Sequence, residues 1–385
     1  MLVSSVGNMG ELVALGWLAL ELTDSPFLVG LAMGARALPL FFVGVPAGVL
    51  ADRFPRHRLL MLTSAGQALT ASAAGVLVLL GRVRLAHLIL LAIVAGTLRA
   101  VEHAARQSYT HDVVGGGALV NGLAVLGVAL RVGWLGGSLG AGAVIAGFGI
   151  GAAYLAAGAC YLAGAAALLP ATAVAHGPAR AAGSVWTSML GAVTALRQHR
   201  VLLVLMVLTA GAEVLGFSHQ ALLPSLARDV LHAGPQGLGA LNAARSLGGI
   251  LGLVAAYALR PAGGGGGPLF LAVLLTFGVG VLGLGVAPWL VGFAGVVAVL
   301  VVANAAGALA DLLAQSLLQL NAPAHLRGQA GGAWVVAIGL APLGQLQIGA
   351  LASLFGVSLA LGASGVALVV LAGGVALRFP GLRRL

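Results

Sequence analysis

The stretch GVLADRFPRHR, Gly48–Arg58, puts three arginines, a histidine and an aspartate into eleven residues. On both sides of it the chain is almost entirely apolar, and that contrast decides the fold. Of 385 residues, 60% are hydrophobic and 7% are charged, and the mean hydropathy is +1.09. A water-soluble domain is about one-quarter charged. This chain has too little charge to cover a wetted surface, so its solvent is a bilayer, where only structures that satisfy their own backbone survive. Its apolar runs are about 20 residues long, the length of a spanning helix. Barrel strands would be about 10 residues long and alternating. Gly48–Arg58 is then a polar turn between two helices.

Twelve spans are expected, at residues 3–22, 27–50, 59–81, 85–106, 117–139, 144–171, 199–223, 237–259, 268–286, 288–318, 329–352 and 354–378. The first begins almost at Met1, so a leader ahead of it is minimal or the start codon is set too late. That run lacks a basic flank and carries Glu11, which is unlike a cleavable signal peptide. The 61 glycines suit close helix contacts in lipid, where small residues let backbones approach. The chain has no lysine. With both termini in the cytoplasm, twelve arginines fall in inside segments (Arg53, Arg56, Arg58, Arg106, Arg180, Arg197, Arg200, Arg260, Arg327, Arg378, Arg383, Arg384) and three in outside loops (Arg82, Arg84, Arg228). That is the positive-inside distribution. It also explains the net charge of +10 without nucleic acid, because the arginines are scattered singles and form no single patch.

The chain repeats itself. At an offset of 209, PFLVGLAMGARALP from Pro26 falls on PQGLGALNAARSLG from Pro235 and aligns Arg36 with Arg245. At an offset of 207, the segment from Leu135 falls on that from Pro342 and aligns Gly149 with Gly356. Duplicated six-span halves, 1–171 and 199–385, joined by a polar cytoplasmic linker at 172–198, suit a transporter whose substrate site lies near the midplane between them.

Gly48, Leu50, Ala51, Asp52 and Arg53 resemble the signature loop between helices two and three of the major facilitator superfamily. Pro55 stands where that pattern has its second glycine. LLPSLARDVL at 222–231, LQLNAPAHLRGQAGG at 318–332 and LAPLGQLQIGAL at 340–351 are similar to the branch holding siderophore exporters and macrolide-efflux proteins. Gly133 and Gly137 fit the antiporter motif of the fifth span, with Trp134 and Ser138 in place of its proline and last glycine. The resemblance implies an all-α fold of twelve helices in two six-helix pseudo-repeats. It also implies export of a small amphiphilic compound by proton antiport and alternating access. Facilitated transport or import of a small metabolite is the other reading that fold allows. The resemblance further implies a pathway lined by helices one, four, seven and ten, and a prokaryotic plasma membrane.

Charges inside spans are costly, about 2.5–3.5 kcal/mol at the bilayer centre, and therefore face protein or a wet cavity. Glu11 lies roughly 17 Å and Arg36 roughly 14 Å from the same end of their helices at 1.5 Å per residue, so the two are level and can pair. Burial favours a neutral acid and an arginine favours the carboxylate. That competition makes Glu11 the first candidate for proton exchange, while a permanent salt bridge is the structural alternative. Glu213 and Arg245 form a comparable candidate pair in the second half. No partner level with Asp311 is obvious from the sequence, which makes it a cavity candidate, and Arg131 is a further one. Arg99 and Glu102, one turn apart, are a local pair or partners of the Asp52 loop. Arg53, Arg56 and Arg58 meet headgroups, at about 1 kcal/mol each. Asp52 suits a helix N-terminus, and the resemblance implies that of helix eleven, as a latch between the halves together with Gly48 and the loop arginines.

Other classes fit poorly. GASG at 362–365 matches a rhomboid-like serine protease motif, but no histidine follows His325 to act as base for Ser364. His103 and His111 lack zinc-site spacing, and Cys160 is the single cysteine. RPAGGGGGP at 260–268 follows no strand and has no P-loop lysine. Charged rings and pore loops of a channel are absent from the sequence. No catalytic residue, metal or cofactor is expected, and the partners are lipid, a small-molecule substrate and protons, with the chain acting as a monomer.

Overall fold

The structure is a computed structural model that describes residues 1–169, 199–258, 266–322, 334 and 336–384. It is all-helical, with no strand among the described residues. Eleven helices there are long and apolar enough to cross a membrane. They are α1 (Leu2–Thr23), α2 (Pro26–Arg53), α3 (Arg56–Leu79), α4 (Leu85–Val114), the long Val125–Ala166, α7 (Arg200–Val230), α8 (Gly234–Ala258), α9 (Gly266–Leu290), α10 (Gly292–Asn321), α11 (Val336–Phe355) and α12 (Val357–Arg378). The long helix is folded in two at Gly149, whose φ is +83°, giving α5 (125–148) and α6 (150–166) and twelve spans in all. Its neighbours show the reversal. Gly133 and Gly137 meet α1 in rising order, at Leu2 and then Val6, whereas Ala157 and Gly164 meet it in falling order, at Gly7 and then Ser4.

The chain divides into two compact units, Met1–Ala182 with Ala233–Ala243 and Gly183–His232 with Ala244–Leu385. The expected linker at 172–198 lies outside the described residues. Within the first unit, glycines set the spacing. A Cβ on Gly137 would run into the Val6 carbonyl, and one on Gly96 into the Arg36 carbonyl. Gly133 and Gly137, the two glycines that match the antiporter motif, are therefore the groove in α5 along which α1 lies. The second unit is built alike, with Gly248 and Gly252 of α8 against the Val301 and Ala305 carbonyls of α10. A core of Leu205, Leu208, Phe270, Phe277 and Leu309 fills its centre.

The internal repeat is visible in the backbone. Asp24 (φ 49°), Gly81 (φ 64°) and Gly149 (φ 83°) close the turns α1–α2, α3–α4 and α5–α6. His232 (φ 51°), Gly292 (φ 61°) and Gly356 (φ 86°) close α7–α8, α9–α10 and α11–α12. Each residue of the second set lies 207 to 211 positions after its counterpart (232 − 24, 292 − 81, 356 − 149). The offset changes from 208 to 209 at Gly234, one extra residue that also has positive φ (62°). Helix contacts repeat as well. A Cβ on Gly75 would stand 2.9 Å from the Gly151 carbonyl, and the counterpart Gly285 abuts the Ser358 carbonyl.

Several expected boundaries move, for local reasons. The Gly48–Arg58 stretch is mostly helix rather than loop, since α2 runs to Arg53 and α3 starts at Arg56. Only Phe54 and Pro55 turn. Phe54 is extended (φ −109°, ψ 152°), as the residue before a proline must be, and Arg53 sits in the last turn of α2, where the helix dipole favours a cation. Gly48 has open space around it. The α5–α6 turn falls at Gly149 and not near 140, because the chain stays helical through Gly140, Gly142 and Gly147 and reverses at the glycine with positive φ. α7 extends past Pro224 to Val230, the proline being accommodated in a first helical turn after a short 3-10 segment, Phe217–Leu222.

Candidate functional site

Glu11 stands at the centre of a buried cluster in the first unit. Arg36 donates to both its oxygens, from Nη1 at 2.6 Å and Nη2 at 3.1 Å. The Tyr161 hydroxyl of α6 donates to Oε2 at 2.7 Å, and Asn8 Nδ2, one turn before Glu11, donates to Tyr161 at 3.4 Å. Arg36 is 9% and Glu11 4% exposed. The pairing foreseen from helix depth is therefore present, and it is bidentate, the arrangement in which arginine binds carboxylate best. Asn8 and Tyr161 were not foreseen. Tyr154, two turns before Tyr161 on the same helix, has a buried hydroxyl with no partner.

A second cluster sits lower in the same unit. Glu102 accepts from Arg99 at 2.9 Å, Arg106 at 2.9 Å and Gln67 at 3.0 Å. Arg99 and Glu102 are thus a local pair, within a triad. Arg106, expected in a cytoplasmic segment, is instead 2% exposed, because α4 continues beyond it to Val114. Arg56, expected at headgroups, is also turned inward. Its Nη1 meets Asp112 and donates to the Ser108 carbonyl at 3.4 Å, and its Nε donates to Ala51 at 3.3 Å. Arg53 and Arg58 are exposed. The Asp52 side chain and the start of helix eleven lie outside the described residues. Arg131 stacks over the Trp134 ring, 5.9 Å from its centroid.

In the second unit the expected Glu213–Arg245 pair does not form. Glu213 faces Asp311 electrostatically, two carboxylates from α7 and α10, and Trp334 Nε1 donates to Asp311 at 3.2 Å. Arg245 lies within electrostatic range of His219. The cause lies in the end of α7. The helix runs to Val230 and not to 223, through π turns at Ala212–Gly216 and Leu226–Val230 and the 3-10 segment Phe217–Leu222, so Glu213 lies seven residues deeper than counted, roughly 10 Å at 1.5 Å per residue. His219 is fully buried, with Nδ1 2.7 Å from the Gly216 carbonyl and Nε2 3.4 Å from Asn304 Nδ2. Among the described residues no group of three or more His, Cys, Asp or Glu side chains could hold a metal. Ser364 is buried on α12.

Membrane-length apolar helices in two compact units, with charged residues buried among them, suit a multi-span membrane transporter. Solved structures share this fold. The nucleoside transporter NupG, as a point variant, is 15% identical over 98% of this chain and 99% of its own, with TM-score 0.76. A bacterial homologue of the human lysosomal transporter Spinster, inward-facing and occupied, is 15% identical over 99% and 97%, with TM-score 0.72. The xylose transporter XylE from E. coli, inward open, is 13% identical over 97% and 94%, with TM-score 0.72. No curated protein matches the chain. Residues 1–383 match the model of the transmembrane secretion effector family, MFS_3, and the chain belongs to that family of major facilitator transporters.

Proposed function

We propose that the protein exports a small amphiphilic compound (a drug, macrolide or siderophore-like molecule) by proton antiport and alternating access. Glu11 is its proton-exchanging carboxylate, and Asp311 with Glu213 is the acidic site of the second unit. The carrying observation is the buried Glu11–Arg36–Tyr161 cluster. Protonating Glu11 removes the charge that holds Arg36, leaving a buried guanidinium in search of a partner. A buried cation so exposed is unfavourable by several kcal/mol, enough to drive a change of conformation. The family's description as secretion effectors supports export. Each proton crossing 100 mV supplies about 2.3 kcal/mol, which sustains a gradient of roughly fortyfold for a neutral substrate at 1.4 kcal/mol per decade.

We place both termini in the cytoplasm on the arginine distribution, and the chain in a prokaryotic plasma membrane as a monomer on the resemblance to bacterial exporters. The test uses everted membrane vesicles and a fixed panel of ethidium, a macrolide and a catecholate siderophore. At least one should accumulate, collapse with nigericin and be lost in Glu11→Gln. Accumulation of none, or accumulation indifferent to nigericin, rejects the reading. If Glu11→Gln and Asp311→Asn both keep full proton-dependent uptake, the carboxylate assignment is wrong.

A further inference from the structure

The repeat register pairs Glu11 with a residue of a different kind. The turn residues Asp24 and His232 correspond at an offset of 208, and counting back thirteen places from each reaches Glu11 and His219. Arg36 and Arg245 correspond one turn later. In the first unit the arginine holds a carboxylate. In the second, the counterpart arginine lies within electrostatic range of an imidazole and would repel it once charged, where in the first it attracts.

We propose that His219 is a second proton-binding site, the counterpart of Glu11, and that it takes up its proton only when the Asn304 carboxamide turns over or α7 and α10 part. The hydrogen bonds say which form is present. A carbonyl can only accept, so Nδ1 carries the hydrogen toward Gly216. Nε2 is then a lone pair receiving Asn304 Nδ2, which also donates to the Leu300 carbonyl at 3.0 Å. Both imidazole nitrogens are thus engaged in the neutral state. A proton added to Nε2 would point at an amide that is itself a donor. Only turning that amide, which sacrifices its bond to Leu300, or moving the helices apart, gives the new N–H an acceptor. Proton entry is thus one event with either a turn of the Asn304 amide or a rearrangement of α7 against α10.

The surroundings are otherwise apolar or charged in known ways. α9 presents the Phe277 ring edge, with centroids 6.3 Å apart, and α8 presents the charge of Arg245. The carboxylates on the flanking helices are Glu213, six residues before His219 on α7, and Asp311, seven after Asn304 on α10. His219 lies in the 3-10 segment that follows the π turn ending at Gly216, and π turns are a common mark of functional sites. The inference rests on the proton-coupled reading above.

The experiment is NMR of 15N-histidine-labelled full-length protein in nanodiscs, with the His219 signals assigned by their loss in His219→Gln or His219→Asn. At pH 8 His219 should be the neutral Nδ1–H tautomer, and it should become doubly protonated on acidification. Asn304→Asp places an acceptor opposite Nε2 and should raise its proton affinity at least tenfold. An Nε2–H tautomer, or a His219 that stays neutral to pH 5 in both wild type and Asn304→Asp, overturns the proposal. These measurements need no substrate, so transport that ignored protons would defeat the Glu11 reading alone.

Discussion

The Glu11–Arg36 pair allows a double-mutant cycle whose outcome follows from its geometry. Two short contacts, 2.6 and 3.1 Å, join side chains that are nearly excluded from solvent. Glu11→Gln keeps the shape and leaves the Tyr161 hydroxyl an acceptor, but Arg36 then faces a neutral amide in a low-dielectric interior. Removing one partner of a buried pair is unfavourable by about 3–5 kcal/mol, and the surviving hydrogen bonds place this variant near the lower end. Arg36→Gln strands the carboxylate instead and should be destabilised by a similar amount. The double variant buries no charge, and its two amides can bond each other. It should therefore be far more stable than the sum of the singles suggests, with a coupling energy of at least about 2 kcal/mol. Equilibrium unfolding of purified protein in mixed micelles titrated with SDS, followed by circular dichroism, measures each corner. Singles within about 0.5 kcal/mol of wild type, or a double equal to their sum, would refute the view that the pair is a desolvated charge interaction.

The remaining expectations concern backbone and packing. Alanine at Gly149 or Gly356 should each destabilise by about 1–2 kcal/mol, because a side chain resists positive φ while the space around both is open; chemical unfolding that leaves either unchanged contradicts the turn assignment. Gly137→Leu should prevent accumulation of folded protein by driving into the Val6 carbonyl, whereas Gly48→Ala, in open space, should express normally in a fluorescence-detected gel-filtration assay. Arg56→Asp should lower thermal stability, and Asp112→Arg added to it should restore part of the loss if the two side chains interact. Gly216→Ala should be destabilising because its Cβ meets Phe277, and Phe277→Leu should relieve part of that effect in the same assay.

Much of this molecule was legible before any coordinate. Span number and the repeat follow from apolar run length and from Arg36–Arg245, and the Glu11–Arg36 pair follows from arithmetic on regular helices. The arithmetic failed where a helix end was misplaced. Glu213 was matched to Arg245 by depth counted from an end at 223, but α7 runs on through Pro224 to Val230, which sets Glu213 seven residues deeper. A signal was available in the same repeat, which sets His219 against Glu11 once the turn residues are aligned. Arg106 was misplaced because α4 was ended too early. Asp112, as the partner of Arg56, lies 56 residues away from it, beyond the reach of any local pattern. Asn8 could have been noticed, standing one turn from a buried acid.

The recurring left-handed turns have a consequence for construction. Because every reversal at one end of the first bundle has a counterpart in the second, a tandem of two first-half copies would meet no new demand on its connections at that end. Such a tandem fusion would carry a carboxylate at the Glu11 position of both halves and no imidazole at that position, separating what the architecture permits from what divergence between the copies has added.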